Sequence, residues 1–312
     1  MTQIVVLGGT GFVGRHVLAQ ARDAGHEAVS LSRREGCDFD DLDSLIGRLA
    51  DLKPEVVVNC GAQVGSVHHV SEKAADVVDA NMRMQLNIFK AVREAAPEAL
   101  LINPIANCAY PGYLEVYSED RFWEGPLHPS VLSYGSTRRM MMVLSECYGW
   151  QYHLHTLNLL VPNMYGPHDS PDPNKAHALN ALAAKVVKAT REKNPTLEVW
   201  GTGIAIREWL YAGDFARIVV EAIARAGDRR LVQPLNVGQR RGYTVREIVE
   251  LIVAEAGYPG EVRWDAAKPE GAPRKIMDDG LFRAAFPRFR FTVLQDGIRA
   301  TLKYYSDLYP YP

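Results

Sequence analysis

Along the first half of the chain, short dense apolar runs alternate with longer stretches whose apolar positions recur at helical spacing. "IVVLGG", "EAVSLS", "EVVVNC", "ALLINPIAN" and "HTLNLLVPN" have the length and β-branched character of buried strands. Between the first two, "RHVLAQARDAG" reads as an amphipathic helix stopped at Gly25. "ADVVDANMRMQLNIFKAVREA" and "YGSTRRMMMVLSECYG" read as longer helices. Strands without a polar face, alternating with helices, predict an α/β fold with a doubly wound parallel sheet covered on both sides.

After Tyr165 the texture changes. "GPHDSPDPNKAH" is a polar, Pro-rich loop, followed by a helix near 178–193 and the strand-like "LEVWG". "REWLYAGDFARIVVEAIARA" and "PLNVG" read as a return to the main sheet, and "TVREIVELIVAEAG" through "KPEGAPRKIMDD" builds a smaller lobe. The expected organisation is interleaved. Residues 1–165, with about 207–240, form the sheet domain; about 166–206 and 241–312 form the ligand-binding lobe. The two long helices carry more apolar surface than a solvent-facing helix needs, which predicts a homodimer.

The 312 residues carry a formal net charge of −2, so no global basic field invites nucleic acid or an anionic membrane. No apolar run is long enough to span a bilayer. The N-terminus enters "QIVVLGG" at once, without a charged segment and apolar core that would mark a signal peptide. Cys37, Cys60, Cys108 and Cys147 lie far apart without CxxC spacing, which suits a reducing cytoplasm. His68, His69, His153 and His155 lack a supporting acidic or thiol array, so no metal site is expected.

"LGGTGFVG" sits between the first strand and the first helix. Gly8, Gly11 and Gly14 allow a tight turn, and the helix that opens at Phe12 and Val13 presents amides to a pyrophosphate. In this setting the pattern points to a Rossmann-type dinucleotide site. The second strand ends "LSRREG", with Ser32, Arg33 and Arg34 where an acidic residue would bind the 2′-hydroxyl of NAD. An arginine fork suits a 2′-phosphate, which selects NADP(H) over NAD(H).

"GGTGFVG", "NCGAQVGSV", "NCAYPG", "YGSTR", "VPNMYGPHD", "NKAH", "GTGIAIREWLYAGDFA" and "KPEGAPRK" run nearly end to end. With them the chain resembles the extended short-chain dehydrogenase/reductase (NAD-dependent epimerase/dehydratase) superfamily. Within it, the chain is most similar to the GDP-L-fucose synthases, epimerase/reductases of GDP-4-keto-6-deoxymannose. The resemblance implies a GDP-linked nucleotide-sugar substrate, with Asp38 and Phe39 near the adenine. It also implies redox chemistry at Tyr134, where Arg138 stands in place of the usual lysine and Ala106 in place of the usual serine. Cys108 and His177 fall on the proton-transfer cysteine and histidine, and Arg207, Arg274 and Lys275 on positions around the diphosphate.

Arg138, one turn beyond Tyr134, is expected to lower the phenol's pKa, although it cannot reproduce the compact ammonium that holds the nicotinamide ribose. Asn107 and Asn163 are the side chains that could replace the lost serine hydroxyl and contact cofactor or substrate. Three readings compete. The chain could be a nucleotide-sugar epimerase/reductase, an epimerase that binds NADP(H) without net redox, or a non-catalytic NADP(H) sensor. A sensor would need neither the substrate lobe nor the Cys/His pair.

Overall fold

A computed structural model describes residues 1–225, 234–268 and 271–311. Residues 226–233, inside the segment expected to return to the main sheet, and Pro269 and Glu270 of "KPEGAPRK" lie outside the described residues. In chain order the strands are β1 (Gln3–Leu7), β2 (Glu27–Leu31), β3 (Val56–Asn59), β4 (Leu100–Ala106), β5 (Thr156–Val161), β6 (Asn163–Tyr165), β7 (Thr196–Trp200), β8 (Ile206–Tyr211), β9 (Leu235–Asn236), β10 (Gly242–Thr244), β11 (Glu261–Asp265) and β12 (Arg274–Lys275). The helices are α1 (Phe12–Asp23), α2 (Leu42–Leu52), α3 (Val67–Glu72), α4 (Ala74–Ala95), α5 (Leu132–Tyr152), α6 (Ala178–Arg191), α7 (Ala212–Ala224), α8 (Val245–Ala256), α9 (Gly280–Ala285) and α10 (Leu294–Leu308).

Six strands form one parallel sheet in the order β2-β1-β3-β4-β5-β9. β1 shows why its sequence lacks a polar face. Ile4 and Val6 pack with Val17 of α1 and Phe215 of α7, while Val5 and Leu7 pack with Leu45 of α2 and Phe89 of α4. Each such side chain contributes roughly 1.5–3 kcal/mol on burial, so the alternation of facing cores, not of polarity, sets the register. From β2 on one side of β1 the chain crosses to β3 on the other. That reversal opens a crevice at the C-terminal ends of β1 and β3.

β9 joins the main sheet beside β5, as "PLNVG" predicts. β8 does not. It pairs with β6, β10 and β12 in a separate sheet. The reason lies in its alternation: Trp209 faces the core of the smaller lobe and Leu210 faces the core of the main sheet. An apolar run that serves two cores reads the same as one buried in a single sheet. α7, which follows β8, does pack beside α1. α6, α8 and α10 gather around Tyr165 and Tyr305, and β7 and β11 pair in parallel. Among the described residues no helix is long and apolar enough to cross a membrane, and no cluster of three or more His, Cys, Asp or Glu could hold a metal ion.

Candidate active site

β1 ends in a turn from Gly8 to Gly11 that delivers the first residue of α1, Phe12. Gly8 has φ +75°, and a Cβ there would lie 2.9 Å from the Cys60 carbonyl oxygen at the end of β3. A Cβ on Gly14 would lie 2.2 Å from the Gly8 carbonyl oxygen, so only glycine lets α1 approach its own entry turn. Gly11 caps α1 without a side chain, leaving the first-turn amides without a side-chain partner. At the end of β2, Ser32 is buried, and Arg33 and Arg34 are exposed on a 3-10 turn that closes with Glu35. The Glu35 carboxylate accepts from the Ser30 and Ser32 hydroxyls at 2.6 and 2.7 Å. Asp38 is exposed, whereas Phe39 is buried against Gly61.

Beyond this turn lies a cleft of about 510 Å³ between the main sheet and the smaller lobe. It is lined by Gly11, Phe12 and Val13 from the glycine turn and the start of α1, and by Arg207 and Lys275 from β8 and β12. Asn107, Cys108, Tyr134, Arg138, Asn163 and His177 also line it. The sequence-predicted chemistry is therefore brought into one space. β4 stops at Ala106, and a 3-10 turn over Asn107–Ala109 carries Cys108 to the cleft. Gly135 lets α5 close on that turn, since a Cβ there would lie 2.5 Å from the Cys108 carbonyl oxygen. Tyr134, in the first turn of α5, is thereby held beside it.

Arg138 is 2% exposed, with its guanidinium carbon 4.9 Å from the Tyr134 ring centroid. Its Nη2 donates to Asn81 Oδ1 at 2.9 Å, while its buried Nε has no hydrogen-bond partner. Burial pushes the Tyr134 phenol up; Arg138 pulls it down and Cys108 adds to the rise. The cation acts in the expected direction, but desolvation outweighs it, so the pKa is raised rather than lowered. Burial likewise pushes the Cys108 thiol up, opposed by Lys275 and Arg138.

His177 precedes α6. Its backbone N–H and its ring Nδ1 both bond Asp169 Oδ2, at 2.8 and 3.0 Å. A carboxylate only accepts, which assigns the proton to Nδ1 and leaves Nε2 for exchange with a ligand. Asp169 is buried and also accepts from Asn180 Nδ2 at 2.7 Å. Burial raises its carboxyl, but the hydrogen bonds and charge of His177 outweigh this and hold it below the usual carboxylate value. The Phe12 ring sits 5.2 Å from the His177 ring, which ties this dyad to the start of α1.

Asn163 Nδ2 donates to the Glu208 carbonyl at 3.2 Å. Arg274 is exposed and does not line the cleft. Its neighbour Lys275 does, because successive residues of β12 point to opposite faces. Burial pulls the Lys275 ammonium below the usual lysine value, with Cys108 opposing and Arg207 adding to the fall. Among the described residues that line it, the cleft sets Arg138, Lys175, Arg207 and Lys275 against one carboxylate, Asp169, on a chain of net charge −2.

The sequence profile of the NAD dependent epimerase/dehydratase family matches residues 4–238. The chain belongs to this family. It is 28% identical to the GDP-L-fucose synthase of Escherichia coli (strain K12), over 88% of this chain and 88% of that protein. A GDP-6-OMe-4-keto-L-xylo-heptose reductase from C. jejuni shares its fold with a TM-score of 0.87 at 20% identity, covering 98% of each chain. A GDP-L-fucose synthetase from Naegleria fowleri bound to NADP does so with a TM-score of 0.86 at 23% identity, covering 100% of this chain and 97% of that one.

A dinucleotide fits this family member's crevice. The glycine turn leaves no room for a Cβ at Gly8 or Gly14, the helix amides above it are uncapped, and among the described residues the buried Arg138 Nε has no acceptor. Two functional candidates had weak sequence signals. Asp169 stands eight residues before the histidine it holds, and Lys275 could be told from Arg274 only by strand parity.

Proposed function

We propose that the chain is an NADP(H)-dependent epimerase/reductase of a GDP-linked 4-keto deoxy sugar. The observation that carries this reading is the convergence of Cys108, His177 and Tyr134 on one cleft. That cleft is lined both by the start of the glycine-turn helix, which suits a dinucleotide, and by two cations, Arg207 and Lys275, which suit a diphosphate. The names of the similar proteins, GDP-L-fucose synthase and a GDP-linked 4-keto heptose reductase, supply the substrate class. NADP in the Naegleria relative agrees with Arg33 and Arg34 at the end of β2.

In this reading the amides of Phe12 and Val13 receive the pyrophosphate, and Arg33 and Arg34 fold over the 2′-phosphate. Arg207 and Lys275 neutralise the sugar diphosphate. Cys108 rests as a thiol because burial disfavours its thiolate, and His177 presents Nε2 with its other nitrogen pinned by Asp169. One group removes the proton from the carbon beside the ketone and the other returns a proton, which inverts that centre. Tyr134 donates its phenolic proton to the sugar oxygen. Bound NADPH supplies the hydride that a carbonyl carbon accepts in reduction. The four cysteines are free, in keeping with a reducing cytoplasm, and in this reading the active species is a homodimer.

A specific observation favours the narrower reading, epimerisation without net redox. Arg138 lies on the face of the Tyr134 ring, and Ala106 offers no hydroxyl. Incubation with GDP-4-keto-6-deoxymannose and NADPH separates the two. Loss of NADPH absorbance together with solvent deuterium in the sugar supports the full reaction, and deuterium alone supports the narrower one. Neither signal with any GDP-linked 4-keto sugar would overturn both.

A further inference from the structure

Buried polar atoms without a partner are rare in folded proteins, because each forfeits its bonds to water without replacing them. Among the described residues there are six such side-chain atoms, and four of them, on Asn59, Asn107, Arg138 and Trp209, belong to residues that line the cleft. Asn107 is the informative one. It is 4% exposed, it follows directly on Ala106, and its Nδ2 carries two N–H groups that no protein atom accepts. The other amide that could serve, Asn163, spends one of its two N–H groups on the Glu208 carbonyl. Asn107 also shares its 3-10 turn with Cys108, onto which the Tyr134 end of α5 is pressed.

We propose that the Asn107 side-chain amide supplies the oxyanion hydrogen bond that Ala106 cannot. It donates Nδ2–H to the C4 oxygen of the keto sugar as negative charge builds there. The same donor serves both half-reactions. In epimerisation the electrons of the broken C–H bond move onto that oxygen as an enolate. In reduction the carbonyl π pair moves onto it as hydride adds to carbon, before Tyr134 protonates it. The amide takes no proton and gives none away, so the site keeps an electrophilic donor although the hydroxyl is gone. This rests on the substrate reading proposed above.

The test is a double-mutant cycle on the full-length protein with GDP-4-keto-6-deoxymannose. Asn107→Ala is expected to lower kcat by roughly a hundredfold, the scale of one lost oxyanion donor, with KM changed by less than about threefold. Ala106→Ser should restore most of that loss in the Asn107→Ala background and add little to the parent, because hydroxyl and amide would serve one oxygen. Asn107→Ser, which keeps a donor, should fall between parent and Asn107→Ala. Isotope-edited infrared spectra of the bound ketone give an independent readout. The carbonyl stretch should lie lower in the parent than in Asn107→Ala. A folded Asn107→Ala protein with kcat within about twofold of the parent, or with an unshifted carbonyl stretch, would overturn the proposal and leave the substrate reading intact. A parent protein that neither turns over nor binds any GDP-linked 4-keto sugar would overturn the substrate reading, and this proposal with it.

Discussion

A carboxylate that accepts both the backbone N–H and the Nδ1–H of one histidine leaves that ring little rotational freedom. Asp169 does this for His177 from a buried position, with Asn180 holding the same oxygen. Asp169→Asn preserves size but replaces an acceptor-only group with one that can flip and donate, so Nε2 is no longer aimed consistently. Expected is a fall of roughly tenfold to a hundredfold in kcat, within the range that general acid–base groups contribute, with KM little changed. Steady-state kinetics check it, and an unchanged kcat would assign Asp169 a purely structural role. At this scale the sequence was legible where a residue type and a resemblance coincided: the cleft brings together Cys108, His177, Tyr134 and Arg138. It was not legible where geometry decides. The balance of burial against charge at Tyr134 turns on desolvation, which no spacing reveals. The choice between Arg274 and Lys275 turns on the parity of a two-residue strand.

β8 carries a different lesson and a pH dependence. Its Glu208 is fully buried, with backbone amides of Gln239 and Met277 donating to its carboxylate. It therefore staples β8 to the segment after β9 and to the segment after β12. Burial pushes its carboxyl from 4.5 up to about 7, against those hydrogen bonds. A raised carboxyl pKa means the folded state prefers the proton. The contribution to stability is complete below about pH 4.5 and is lost as pH rises through about 7. Glu208→Gln cannot ionise, so its Tm relative to the parent should climb steadily across that window. A difference in Tm independent of pH would contradict this. The glutamate inside "IREWLY" was the visible sign that this strand is not an ordinary member of the main sheet. What stayed hidden was the division of Trp209 and Leu210 between two cores. The strands of the main sheet were legible because their runs are apolar on both faces and sit between helices of clear period.

For the whole molecule, α4 and α5 pack side by side and leave Val78, Met140, Trp150 and Tyr152 exposed. Exposed apolar side chains on packed helices are costly to leave in water, and groups of them commonly mark an interface between copies. Sedimentation at micromolar concentration should show a dimer, and Met140→Glu should shift it toward monomer without loss of helicity. A parent protein that sediments as a monomer would remove this element. The doubly wound fold was legible in the alternation of runs. The way the smaller lobe is threaded through β6, β8, β10 and β12 was not, because β6, β10 and β12 are three residues or shorter and carry little periodic signal.

The claim on which everything else depends is that Cys108 and His177 move the protons while Tyr134 serves the oxygen. Deuterium uptake from solvent at the carbon beside the ketone, followed by mass spectrometry, measures it directly. Cys108→Ser and His177→Asn should abolish uptake while the proteins still bind NADPH. Tyr134→Phe should keep uptake within about tenfold of the parent and lose reduction. If Cys108→Ser and His177→Asn exchange as fast as the parent while Tyr134→Phe abolishes NADPH oxidation, the assignment is contradicted, and the protein is a reductase with an arginine variant of the usual site.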